Sequence, residues 1–182
     1  MVRTKDIVNE ACRLADLGIG VDQDGVYGTQ CVDLPNYLSV LYFGKQLWGN
    51  AIDLLNSAAS LGYKVEYNEV GNMDSKPREG AVFVMDTTYL YGHSYGHTGV
   101  AIADSDGYTM RTVEQNVDGN ADALYVGGPA RYMTRDFTGI VGWFYFPTDD
   151  TPVDNNANSG LQMLDKARVF TVTVDKLNVR SE

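Results

Sequence analysis

The apolar residues of this chain change their spacing near residue 62, and that change limits the folds open to it. Over residues 4–17, Ile7, Val8, Ala11, Cys12, Leu14 and Ala15 recur at helical spacing, and Gly18 and Gly20 end the run. A second helical stretch is expected over residues 31–43, where Pro35 is compatible only with a first turn that begins close to Cys31. Asn50 caps a third helix that carries Ile52, Leu54, Leu55, Ala58 and Ala59, and Gly62 closes it. Beyond this point the period is two. Residues 63–67, 81–85, 98–103, 108–114 and 140–146 read as strands separated by Gly, Asp, Asn and Pro clusters, with 76–80 as the turn into the second. Helices first and a meander of strands second predict an α+β fold, with N-terminal helices packed on an antiparallel β-sheet.

A chain of 182 residues can bury the core of one medium domain but hardly two, and Trp48 and Trp143 are expected in that core. Residues 148–160 are polar and small, with too little apolar surface to offset the entropy of ordering them. The expected organisation is a domain over 1–147, a polar linker over 148–165, and the opening of a second domain over 166–182, where residues 169–174 alternate like a strand.

A net charge of -10 lacks the basic footprint that phosphate neutralisation needs, so nucleic acid is not an expected partner. The same charge disfavours anionic lipid, and no apolar run approaches the roughly 20 residues needed to cross a bilayer. The first residues lack the apolar core and cleavage site of a secretory signal, so synthesis is expected to end in the cytoplasm. A soluble monomer is expected. Cys12 and Cys31 read as thiols, Cys12 as a small buried hydrophobe on the first helix.

A catalytic cysteine needs a helix N-terminus, a cationic neighbour, or both. Cys31, at an expected helix start, meets the first requirement, and only His93 and His97 are available for the second. His97 opens an expected central strand, whereas His93 lies in a Gly- and Tyr-rich loop. An imidazole acting as base needs a third group to orient it, and either Glu114 or Asn116, closing the neighbouring strand, could do so. Tyr89, Tyr91 and Tyr95 cluster before His97, where they either wall a substrate groove or form an ordinary rim.

Three segments, Gln30-Cys31-Val32-Asp33-Leu34, Gly96-His97-Thr98-Gly99-Val100 and Glu114-Gln115-Asn116, resemble in type and order the signature segments of CHAP domains. The resemblance spans essentially residues 1–147 and implies a papain-like (NlpC/P60-like) fold and a cysteine hydrolase of bacterial peptidoglycan. It implies Cys31 as nucleophile, His97 as base then acid, Glu114 orienting His97, and Asn116 as a polar fourth member. The oxyanion would be held by the Cys31 backbone N–H and by Gln30, unless Gln30 only closes the loop before the helix. Tyr95 is the expected substrate contact. A cross-bridge or stem-peptide bond is the expected target, with the bond between N-acetylmuramic acid and L-alanine as the alternative. An NlpC/P60 peptidase and a non-catalytic wall-binding protein are the competing readings. Residues 171–181 resemble the start of a bacterial SH3 cell-wall-binding domain, which completes the layout of a phage endolysin from a Gram-positive host.

Upstream of Cys31, counting Asp22 as position 1 places carboxylates Asp22, Asp24 and Asp33 at 1, 3 and 12, with the carbonyls of Val26 and Gly28 at 5 and 7. This resembles the oxygen spacing of an EF-hand loop, although Tyr27 stands where that loop uses Gly. It is also similar to an acidic loop that binds Ca²⁺ in CHAP lysins of staphylococcal phages. Structural Ca²⁺ is therefore expected, against a solvated Asp/Gly turn as the alternative, and no organic cofactor is expected.

Overall fold

All five residues of β2 (Ala81–Met85) and all five of β3 (His97–Ala101) are buried, as strands covered on both faces must be. They form the centre of a six-stranded sheet of order β1-β6-β2-β3-β4-β5, with every neighbouring pair antiparallel. The other strands are β1 (Lys64–Tyr67), β4 (Thr109–Glu114), β5 (Arg131–Asp136) and β6 (Ile140–Tyr145). This computed structural model describes residues 1–117 and 126–150. Residues Met1–Thr151 form one compact unit.

Three helices precede the strands: α1 (Thr4–Leu17), α2 (Asp33–Phe43) and α3 (Leu54–Ser60), the last entered through a 3-10 turn at Ala51–Asp53. Ile7, Ala11 and Leu14 of α1, Leu34 and Leu38 of α2, and Leu54, Leu55 and Ala58 of α3 pack against Val82, Val84, Val100, Val113 and Phe144 on one face of the sheet. The opposite face carries Phe83, Met85, Ala101, Met110, Ile140 and Trp143. The expected α+β architecture is present, with helices over an antiparallel sheet.

Four details differ from the sequence reading. The second helix begins at Asp33, two residues after Cys31. The Asp33 amide donates to Gln30 O at 3.2 Å, so residues 30–33 close as a turn before helical bonding starts from Val32 O to the Asn36 amide. Pro35 still falls in the first turn, where its missing N–H leaves no bond unmade. Strand β5 was not anticipated, because its inward residues Arg131, Met133 and Arg135 include two arginines and so hide the alternation. A short helix, α4 (Thr88–Tyr91), interrupts the Tyr-rich loop. Trp143 is in the core at 1% exposure, but Trp48 is 52% exposed and lies at the surface.

The ordered chain continues past Pro147. Asp150 accepts hydrogen bonds from the Thr4 amide and hydroxyl, both at 2.8 Å, and Thr4 also bonds Thr148. The remainder of the expected linker and the expected opening of a wall-binding domain, from residue 151 onward, lie outside the described residues.

Candidate active site

His97 opens β3 and Glu114 closes β4, and the pairing of Val100 with Val113, continued by one step, sets Gly99 opposite Glu114. A Cβ on Gly99 would lie 2.5 Å from Glu114 Cγ. The missing side chain lets the Glu114 carboxylate lie across β3 and meet His97 Nε2 at 2.7 Å. Nδ1 is then the ring nitrogen left for Cys31, whose sulfur interacts with His97 by hydrogen bonding and by charge. The edge of Phe83 closes another side of the ring, 6.1 Å between centroids.

The electrostatics of this row follow from its partners. Burial works against a charged imidazole, but the hydrogen bonds and charges of Cys31 and Glu114 outweigh it and raise His97 to about 9. At neutral pH the ring therefore carries two protons. Burial would likewise neutralise the wholly buried Glu114, yet His97 and Arg135 hold its carboxyl below the ordinary range. Arg135 reaches from β5, placing Nε 2.9 Å from both carboxylate oxygens and Nη2 2.6 Å from Oε2. The Thr112 hydroxyl donates to Oε1. An imidazolium held between a sulfur and a fixed carboxylate can give and take a proton at the sulfur without changing its orientation.

Asn116 does not continue the strand. Its φ of 57° turns the chain away after Glu114, and its Nδ2 donates to Gln30 Oε1 at 2.8 Å. Glu114, not Asn116, is the group on His97, and Asn116 sits against the residue before Cys31. Gln30 Nε2 donates to Tyr27 O at 2.6 Å, so the Gln30 amide links the acidic loop to Asn116. The wholly buried Gln115 ties the same loop to the end of β4. It accepts from the Val21 amide at 2.8 Å and donates to Gln30 O at 2.9 Å and Val21 O at 3.1 Å.

Sequence reasoning missed Arg135, Gln115 and the reason for Gly99. Arg135 belongs to the unanticipated strand, and the period-two spacing of Arg131, Met133 and Arg135 was its only signal. Gln115 stood inside a recognised segment as an unremarked neighbour of Glu114 and Asn116. Tyr95 is 58% exposed and Tyr89 97% exposed. Tyr91, His93 and Tyr95 form a row of rings, 6.2 and 5.7 Å between successive centroids, with His93 Nδ1 3.0 Å from the Thr87 hydroxyl.

The model of the CHAP domain family matches residues 20–116, the stretch that contains Cys31, His97, Glu114 and Asn116. The chain belongs to the CHAP domain family. Among curated proteins, this CHAP domain is 34% identical over 127 residues to endolysin PlyTW of Staphylococcus phage Twort, a match that takes in 66% of the chain and 26% of that endolysin. The chain thus spans about a quarter of that relative's length. Among solved structures, the crystal structure of the wild-type endolysin LysIME-EF1 superposes with a TM-score of 0.67 at 31% identity, covering 82% of this chain and 67% of that one.

The carboxylates of Asp22 and Asp24, in the loop before Cys31, and of Asp33, at the start of α2, offer oxygens within 4.8 Å of one another. Asx bonds shape the loop: Asp22 accepts from the Gly25 amide at 2.9 Å and Asp24 from the Val26 amide at 2.8 Å. Tyr27 adopts the left-handed φ of 65° that the EF-hand pattern assigns to Gly, so the departure at that position does not prevent the turn. The Gly28 carbonyl accepts the Gln30 amide at 2.9 Å. Burial raises the Asp33 carboxyl to about 6, and the charges of Asp24 and Asp22 add to that, against the backbone bonds it accepts from Gln30 and Gln23. Three hard oxygen donors, one of them destabilised as an anion, suit a divalent cation such as Ca²⁺.

Proposed function

We propose that this CHAP domain hydrolyses amide bonds of bacterial peptidoglycan through an acyl-enzyme on Cys31. The observation that carries the reading is His97 fixed by Glu114 on one nitrogen, at 2.7 Å, with Cys31 interacting with the same ring. The Cys31 sulfur, its proton on His97, attacks the carbonyl carbon of the scissile amide, and the Cys31 backbone N–H receives the developing oxyanion. His97 then gives its proton to the leaving nitrogen as the C–N bond breaks, leaving a thioester. Water, deprotonated by His97, attacks the thioester and releases the carboxylate product and the thiol. Glu114 holds the ring and its charge, Arg135 holds Glu114, and Asn116 with Gln30 holds the loop that carries the sulfur. Changing Cys31 to Ala should abolish clearing of Gram-positive cell walls, by about a thousandfold or more, with the circular dichroism spectrum unchanged. A folded variant that still clears walls would exclude the thiol mechanism.

The bond favoured is one in the cross-bridge or stem peptide, with the N-acetylmuramoyl-L-alanine bond as the alternative on the same machinery. Support comes from the likeness of the acidic loop to that of staphylococcal phage lysins. Mass spectrometry of digested walls decides, because the new termini report which bond was cut. The Asp22, Asp24 and Asp33 carboxylates, with the Val26 and Gly28 carbonyls, are proposed to hold one structural Ca²⁺ that braces the loop before Cys31. Calorimetric titration of chelator-treated protein should then show one site, and a flat trace would remove it. The proposed setting is a phage endolysin acting on the wall as a monomer; among the described residues no helix is long and apolar enough to cross a membrane.

A further inference from the structure

A cavity of about 360 Å³ opens between the start of α2 and the segment around Trp48, and its lining begins one residue along the chain from the proposed nucleophile. Val32, the chain neighbour of Cys31, lines it together with Leu54 and the carboxylates Asp24 and Asp33. Three features of its lining are not used by the chemistry described above.

The first is Asn36, which lines the cavity and is 7% exposed. Its Oδ1 accepts the Leu47 amide at 2.9 Å, which fixes the side chain's orientation. Its Nδ2 makes no hydrogen bond among the described residues, although no fully buried side-chain nitrogen or oxygen there lacks a partner. The Nδ2 hydrogens must therefore open on the cavity, and a nearly buried N–H donor needs an acceptor supplied from outside. The second is Trp48, whose backbone N–H is bonded to Ser57 Oγ at 2.8 Å and whose indole N–H reaches Ser60 Oγ at 3.3 Å. With its polar edge held, the half-exposed ring presents a face set in advance. The third is Gln46, an exposed amide on the same wall.

We infer that this cavity is a binding subsite for an N-acetylated hexosamine ring of the glycan, its acetamido carbonyl accepting from Asn36 Nδ2 and its C–H face lying on Trp48. The volume is at the lower end of small-molecule sites, about 300–1,000 Å³, which suits one sugar ring and not a long peptide. The acetamido methyl would meet Val32 and Leu54, and Gln46 would bond ring hydroxyls. An ammonium group fits poorly despite the nearby carboxylates, because the Asn36 donor would face another donor. The inference rests on the peptidoglycan reading and adds a sugar contact to it, so that the glycan strand would hold the peptide beside Cys31.

The test is binding of the N-acetylglucosamine trimer to the Cys31→Ala chain, followed by calorimetry and by amide chemical shifts, neither of which depends on turnover. Trp48→Ala should weaken binding about tenfold or more. Asn36→Asp, which keeps the acceptor for Leu47 but loses the donor, should do the same. The shifted amides should lie at residues 32–36 and 46–49. No binding at millimolar trimer, equal binding by both variants, or shifts produced only by a lysine-containing stem peptide would overturn the subsite. Wall lysis by the parent chain is measured in parallel; lysis that persists without trimer binding leaves the hydrolase reading standing, and trimer binding without lysis does the reverse.

Discussion

At the scale of single residues, the account depends on which groups keep a proton beside the Cys31 sulfur. His97, raised to about 9, should act as the acid for the leaving nitrogen, so wall-clearing rate against pH should fall on the alkaline side near that value. Glu114→Gln removes the negative charge that supports the imidazolium and should move this alkaline limb to lower pH. An unmoved limb would mean Glu114 does not set the His97 charge. His97 also ties stability to pH. Its folded value lies above the ordinary one of about 6.5, so its contribution is full below that value and is lost as pH rises towards about 9. Arg135→Ala removes one of the two cationic partners of the buried Glu114 carboxylate and should cost about 3 kcal/mol in urea unfolding. Arg135→Lys should recover part of that loss while keeping a single contact in place of the fork. Cys31 and His97 stood out in the sequence because the chain has only two cysteines and two histidines, whereas Glu114 was one of two candidates beside His97 and took its expected role from the CHAP resemblance; Arg135 was not legible, because an arginine pairing across strands looks like any surface arginine until the register is known.

At the scale of elements, what matters is how β3, β4 and the acidic loop are held in register. Gly99→Ala puts a Cβ 2.5 Å from Glu114 Cγ, so either the strand or the carboxylate must move. We expect a stability loss of about 1–3 kcal/mol together with a loss of activity measured well below the melting temperature. A stable variant with full activity would show that Glu114 can reach His97 by another path. For the acidic loop, the proposed Ca²⁺ would compete with a proton on Asp33, so its affinity should weaken as pH drops through about 6. The three N-terminal helices and five of the six strands were readable from periodicity, since their apolar residues face a core on one or both sides. The start of α2 was misplaced by two residues because Asp33, in the first turn, bonds back to the Gln23 and Gln30 amides and closes a turn that propensity does not reveal. Trp48 was misread as core because an aromatic between two apolar segments gives no sign of which way its ring faces.

At the scale of the molecule, the end of β4 and the segment that leads into β5 both fasten the loop before Cys31. The segment at 126–128 bonds Thr29, with the Thr29 amide on Val126 O and the Gly128 amide on Thr29 O, both at 3.1 Å, while Gln115 and Asn116 reach Val21 and Gln30 from the end of β4. The Cys31 loop is thereby fixed to the strands that carry Glu114 and Arg135, so the position of the sulfur and the charge of the His97 ring are set by the same framework. The most direct measurement is the pH titration of the His97 ring by nitrogen-15 NMR, straightforward in a chain with only two histidines. The account predicts a midpoint near 9 in the parent chain and a clearly lower one in Cys31→Ala. A ring that titrates near its ordinary value of about 6.5, equally in both, would contradict it.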